Sequence, residues 1–420
     1  MRWIKPPISS TRSLPNANDV YQASLRLQGK IRRTPTMNSA LVTSSLGFDS
    51  GTDIYMKLEN LQETGSFKAR GSLNALALLV EEKGEALQGV VTMSAGNHAQ
   101  GLAYHAQKMG ISCTIVMPED TPFVKVRRCQ AMGAEVVLHG QHLDDSAQYA
   151  KKIADGKKIF LIHPYDDAAV IAGQGTATLE MLEDTPPLDI LLVPIGGGGL
   201  MAGGALACLH QQQKITLIGV QAAACPAAKA ILQGKAPMQY GSTLAEGIAV
   251  KYPGELTLPI LADHVSDIIT VSEEQIEQAV QILLNQGKLL AEGAGAAGIA
   301  ALLAAPDLFR GKKTGVVVCG GNIDASLLSS LLLRGLFREG KLGRIRIQLR
   351  DQPGQLARIS TLIGDAGANI IEVLHNRLIN AVPLKQTIVD MVIESRSERH
   401  LHHVQAILEE AGFRCEIITN

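Results

Sequence analysis

Lys57-Leu-Glu-Asn-Leu-Gln-Glu-Thr-Gly-Ser-Phe-Lys68-Ala-Arg-Gly71 is the stretch on which the fold turns. It leaves a short strand, Ile54-Tyr-Met-Lys-Leu58, and passes a polar turn at Glu63-Thr64-Gly65-Ser66. It reaches Lys68 where the helical spacing Leu73, Leu76, Leu79 begins. A lysine at a helix start meets the positive end of the helix dipole, which disfavours the ammonium form. A neutral amine is what condensation with an aldehyde requires. Taken alone, a lysine is ordinarily a solvated surface residue. The glycine-rich turns that follow give Lys68 its other reading.

Three later segments repeat one pattern, a buried strand delivering a glycine-rich turn to a helix. Val90-Val-Thr-Met93 leads into Ser94-Ala-Gly-Asn-His-Ala-Gln-Gly101. Ligands of open parallel sheets bind at such strand ends, and helix N-termini present N–H groups to anions. Asn97 can donate to or accept from a ring hydroxyl. The alternative is an ordinary helix-start turn. Asp189-Ile-Leu-Leu-Val-Pro-Ile195 runs into Gly196-Gly-Gly-Gly199, with a helix over Leu200 to Leu209. Four glycines cost chain entropy, and close approach of backbone N–H groups to a phosphate explains them. The spacing matches neither the nucleotide P-loop nor the dinucleotide fingerprint. A tight packing turn is the competing explanation. Thr314-Gly-Val-Val-Val-Cys319-Gly-Gly-Asn322 is the third case.

Gly65-Ser-Phe-Lys-Ala-Arg-Gly71, with the loops above, resembles the cofactor-lysine segment of fold-type II pyridoxal-phosphate enzymes. The similarity is greatest to the threonine/serine dehydratase and serine racemase branch, and it covers nearly the whole chain. It implies an α/β, tryptophan-synthase-β-like body of two lobes. It implies that Lys68 carries pyridoxal 5'-phosphate, with Phe67 beside it and Asn97 on the ring oxygen. Gly196, Gly197, Gly198, Gly199 and Leu200 would hold the cofactor phosphate. Ser94, Ala95, Gly96, Asn97 and His98 would hold the substrate carboxylate. Cys319 would face the pyridine nitrogen, where many relatives have serine; a packed core cysteine fits that position equally well. Thr243 to Val250 resembles the segment lining the cofactor ring.

The rest of the chain sets bounds. Of 420 residues, 46% are apolar and 4% aromatic, ample for a large core of helices and parallel strands. The length suggests two or three domains. A net charge of −1 suggests neither a nucleic-acid footprint nor an anionic-membrane partner. Six scattered cysteines without a C-x-x-C pair argue against zinc and disulfides and for a reducing cytoplasm. Met1 to Asn18 reads as a loose arm, neither signal nor anchor, and no run is apolar enough to span a bilayer. Asp19 is the expected cap of a first helix, and Gly173-Gln-Gly-Thr176 the expected start of a later one. His98, His105 and His163 lack metal-ligand spacing. Strand Thr216–Gln221 ends without the acidic residues that a divalent cation needs, so no metal is expected.

A catalytic body is expected over 1–335, with a small lobe at about 87–162 inserted in a larger one. Composition shifts at Lys341, and 341–420 reads as βαββαβ, a ferredoxin-like unit. Asp351-Gln-Pro-Gly-Gln-Leu356 and Gly367-Ala-Asn-Ile370 make it similar to an ACT domain, an amino-acid-sensing module. An oligomerisation domain without a ligand is the other reading. The resemblance as a whole implies an L-threonine dehydratase, also active on L-serine and regulated through the tail. It implies a homodimer or homotetramer in isoleucine synthesis or threonine breakdown. The competing readings are a serine racemase, another β-elimination or β-replacement enzyme, and a non-catalytic amino-acid sensor. In the racemases a serine stands where this chain has Ala95, which cannot transfer a proton.

Overall fold

The computed structural model describes residues 3–5, 13–237, 241–376 and 386–418. They form two compact units, Met1–Ile323 and Asp324–Asn420. The strands of the first unit are, in chain order, β1 (Thr36–Asn38), β2 (Asp53–Leu58), β3 (Val90–Met93), β4 (Cys113–Met117) and β5 (Glu135–Leu138). They continue with β6 (Phe160–Leu161), β7 (Ile190–Pro194), β8 (Thr216–Ala222), β9 (Asp267–Val271) and β10 (Lys313–Val318). The larger sheet has the order β1-β2-β10-β7-β8-β9 and the smaller β5-β4-β3-β6. Every pairing is parallel except β1 with β2. Strands β3, β4 and β7 are buried along their whole length, so they are apolar without alternation.

Helix Ala168–Asp184 runs through the middle of this unit and corrects one expectation. It starts at Asp167, whose carboxylate accepts from the N–H groups of Ala169 and Val170. Gly173 and Gly175 are therefore inside the helix, not at its head. They are glycines because neighbouring backbones pass there. A Cβ on Gly173 would lie 2.7 Å from Gly71 Cα, and one on Gly175 2.5 Å from the Gly203 carbonyl oxygen. The first helix, Ala17–Leu27, is capped by Asn16, and Asp19 closes the capping box from the third position. The expected loose arm is partly fastened: Trp3 Nε1 donates to the Val265 carbonyl and Ile4 N to the Leu232 carbonyl. Residues 6–12 of that arm lie outside the described residues.

A buried ion cluster ties β2 to two helices. Arg70, fully buried in helix Lys68–Lys83, donates twice to Glu59 at 2.8 Å. It also donates twice to Glu180 of the central helix, at 2.7 and 2.8 Å. Lys57 reaches Glu180 at 2.8 Å and the Thr34 carbonyl at 2.7 Å. Burial by itself would raise the Glu59 carboxyl; the Arg70 charge and hydrogen bonds overcome it and hold Glu59 below its usual range.

The second unit opens with helix Ala325–Arg338, followed by β11 (Leu342–Arg350), β12 (Asn369–Asn376), β13 (Gln386–Glu394) and β14 (Arg414–Ile418). Helices Gln355–Asp365 and Glu398–Glu410 complete a βαββαβ unit with the antiparallel order β12-β13-β11-β14, the ferredoxin-like arrangement. Alternation along β11 sends Ile345 and Ile347 into a core shared with Ile359, Val389, Met391 and Val404. Helix Ala325–Arg338, placed in the body by the expected 1–335 boundary, belongs instead to this unit and packs against β11. No described helix is long and apolar enough to cross a membrane.

Removing one member of the ion cluster leaves a buried charge unpaired. Arg70→Ala is expected to lower unfolding stability by about 3–5 kcal/mol, measured by urea titration. A loss below about 1 kcal/mol would be that of an exposed pair and would show that the cluster does not hold these elements together.

Candidate active site

A cavity of about 210 Å³ opens in the first unit beyond the C-terminal ends of β3, β7 and β10. Strand ends of this kind are where parallel sheets bind ligands. The cavity gathers Phe67, Lys68, Ser94, Ala95, Gly96, Asn97, His98, Gly196, Gly197, Gly198, Gly199, Leu200 and Cys319, segments far apart in sequence.

Lys68 is the first residue of its helix, and its Nζ donates to the Pro164 carbonyl at 2.7 Å. Burial pulls the amine down from 10.5 to about 8, while Cys319 and Glu292 act in the opposite sense. The Phe67 ring centroid is 5.1 Å from Nζ. Across the cavity, Gly196 to Gly199 turn β7 into helix Gly199–His210. Gly198 has φ +93°, a backbone that side-chain-bearing residues avoid. A Cβ on Gly197 would lie 2.1 Å from the Tyr165 ring. Among the described residues nothing accepts from the N–H groups of Gly196, Gly197 and Gly198. Three unspent donors at a helix N-terminus are an anion cradle.

The loop after β3 is self-bonded, with Ser94 Oγ accepting from Gly96 N at 3.2 Å. The His98 ring is turned inward, 3.4 Å from Ser72 Oγ and 3.4 Å from the Ile162 carbonyl. Burial keeps that imidazole neutral, so what His98 can offer an anion is its backbone N–H. Asn97 has both ends of its amide engaged: Nδ2 donates to Glu292 at 2.8 Å and Oδ1 accepts from Asn322 at 2.7 Å. Only its second N–H remains for a ligand. The Cys319 thiol is pushed up by burial and stays neutral. Gln221, where a cation would want a carboxylate, donates to the carbonyls of Ile195 and Cys225 and accepts from Lys229 N.

Sequence reasoning missed Glu292, Asn322 and Tyr165. Glu292 was visible as the one acidic residue among glycines and alanines in Ala291-Glu-Gly-Ala-Gly295. Tyr165 offered no local signal.

The profile of the family described as "Pyridoxal-phosphate dependent enzyme" matches residues 27–320. The chain belongs to this family. It is 39% identical over 402 residues to an L-threonine ammonia-lyase of Thermotoga maritima, covering 95% of this chain and 98% of the relative. A solved T.th. threonine deaminase superposes with TM-score 0.67 at 37% identity, covering 74% of this chain and 99% of that one. A solved pyridoxal 5'-phosphate-dependent aspartate racemase gives TM-score 0.70 at 32% identity, covering 76% and 98%. Pyridoxal phosphate is the cofactor, and the cavity suits it: unspent N–H donors for the phosphate, a buried amine for the aldehyde, and neutral polar groups for the ring.

The position of Lys68 makes its reactivity pH-dependent. In cofactor-free protein, trapping of pyridoxal phosphate on Lys68 by borohydride should rise with pH through a midpoint of about 8. The neutral amine is the reacting form, so the rate increases as the proton is lost. A midpoint near the ordinary 10.5 would show an amine as solvated as any surface lysine.

Proposed function

We propose that this chain is an L-threonine ammonia-lyase, releasing 2-oxobutanoate and ammonia from L-threonine and pyruvate and ammonia from L-serine. The observation that carries the reading is the buried Lys68 amine facing the tetraglycine cradle across one cavity. The named lyase that aligns along nearly the whole chain supports it.

Lys68 is the residue that would hold the cofactor, and its amine would take the Cα proton of bound substrate. An amine near pH 8 serves both purposes, because it is readily neutral and readily reprotonated. Bound there, pyridoxal phosphate supplies the electron sink that makes the Cα–H bond acidic. Gly196 to Gly199 would hold its phosphate through backbone N–H groups. The backbone of Ser94 to His98, at the head of helix Asn97–Lys108, would grip the substrate carboxylate. Cys319, neutral, cannot keep the pyridine nitrogen protonated as a carboxylate would; that suits loss of a β-hydroxyl better than transamination. Ala95 places no acid or base on the second face of Cα, which argues against racemisation.

The second unit is proposed as an ACT-like regulatory domain for a small amino-acid effector, supported by its ferredoxin-like order. Edge strand β12 exposes Ile371, Val373 and Leu374, which supports a homo-oligomer, dimer or tetramer. Six free cysteines support a reducing cytoplasm.

The test is 2-oxo acid release by the yellow protein from L-threonine and L-serine side by side, with the higher kcat/KM expected for threonine. Lys68→Ala should lose turnover by a factor of at least about 10³, and undiminished turnover in that variant would sink the assignment. D-serine formation from L-serine should be negligible beside pyruvate release. Rapid D-serine formation would move the chain to the racemases.

A further inference from the structure

One titratable group of the cavity has no part in the chemistry above. Glu292 stands immediately before helix Gly293–Ala304 and lines the cavity. Its N–H donates to the Gly320 carbonyl at 3.0 Å, which pins the backbone. Its carboxylate is packed against that same glycine, since a Cβ on Gly320 would lie 2.4 Å from Oε1.

The hydrogen bonds around Glu292 run in one direction. Asn322 Nδ2 donates to the Thr64 carbonyl at 2.8 Å and to Asn97 Oδ1 at 2.7 Å. Asn97 must then turn its Nδ2 to Glu292 Oε1, at 2.8 Å. Oε1 is therefore an acceptor whatever the charge of the carboxyl. A proton on Glu292 has to be on Oε2, which makes no hydrogen bond among the described residues. Burial pushes this carboxyl up to about 7; the Asn97 hydrogen bond works against that, Glu246 with it, and Lys125 and Lys68 against it. Cys319, which also feels the Glu292 charge, stays neutral. A carboxyl that changes charge near neutrality, with its free oxygen fixed by an amide relay, is built to give and take a proton.

We propose that Glu292 is a second proton-carrying residue of this site, steered by Asn97 so that Oε2 exchanges its proton with the ring oxygen of bound pyridoxal phosphate. The Oε2–H bond breaks as the ring O–H bond forms, leaving a carboxylate. No electron is transferred and no co-reactant is needed. The charge on the ring oxygen is then set by Glu292 and not by solvent. The proposal rests on the cofactor reading given under Proposed function.

Glu292→Gln tests it, because glutamine keeps the shape and the acceptor to Asn97 but cannot exchange a proton. The absorbance of bound pyridoxal phosphate depends on the ionisation of its ring oxygen. In the native holoenzyme the two absorbing forms should interchange with pH, and in Glu292→Gln the midpoint should move by about one pH unit or more, or the interchange vanish. Equal midpoints would overturn the proposal. The cofactor-free proteins give a second readout. The folded carboxyl keeps a proton that the unfolded chain, with its ordinary value of 4.5, has released. The Glu292 contribution to native stability therefore falls as pH rises from 4.5 towards 7, and the Tm of Glu292→Gln relative to native protein should rise by several degrees across that window. Lys68, although coupled to Glu292, loses its proton at about 8, above this window, and adds little to the slope. A difference in Tm that is flat with pH would also overturn the proposal. If native protein takes up no pyridoxal phosphate, the cofactor reading falls and this proposal with it. If native protein turns over threonine while its spectrum ignores the Glu292→Gln change, only this proposal falls.

Discussion

The Arg70 guanidinium is the constraint on which the first unit depends. Glu59 and Glu180 approach it from the end of a strand and from the central helix, and Lys57 supplies the second positive charge. Two buried cations and two carboxylates leave no net charge inside, which is the condition for keeping any of them there. The cluster is two residues along the chain from Lys68, on the same first turn of helix. The polar bonds that register strand β2 against helix Ala168–Asp184 thus also fix where the Lys68 stem leaves the backbone. Apolar packing alone would tolerate sliding at that junction; four directed bonds from one planar group do not.

The cavity shows how the same burial acts oppositely on acids and bases. It lowers Lys68 and raises Glu292, so that an amine and a carboxyl which differ by about six pH units in water come within about one unit of each other. Neither is locked into its charged form by a direct ion pair. Lys68 spends its donor on a neutral carbonyl and Glu292 its acceptor on a neutral amide. The strong ion pairs of this unit are instead kept in the Arg70 cluster, whose bonds serve architecture.

Much of this was legible in the sequence where function and local backbone coincide. Lys68 at a helix start, the tetraglycine at a strand end and the Ser94 loop are each a few consecutive residues, and the structure gathers them around one cavity. The alternating pattern of β11 announced the ferredoxin-like unit in the same way. Asn322 and Tyr165 did not read as site residues, because each meets the cavity through segments far away along the chain, and Glu292 offered only its lone charge among glycines and alanines. Gly173 misled because glycine serves equally well to start a helix and to let two helices touch. Asp19 misled because capping boxes use the residue at the third position as well as the cap. Helix Ala325–Arg338 went to the wrong side of the boundary because only Leu331 and Gly335 of it are buried, so its sequence carries little core signal.

The chain has a single tryptophan, Trp3, and its indole N–H is bonded to the carbonyl of Val265. Intrinsic indole emission is therefore a reporter of one event, the docking of the N-terminal segment on the first unit. The ferredoxin-like unit holds no tryptophan, so its melting is followed by amide circular dichroism or by calorimetry. Coincidence of the two signals would mean that docking and both units unfold in one cooperative step, and their separation would time the release of the segment against the rest.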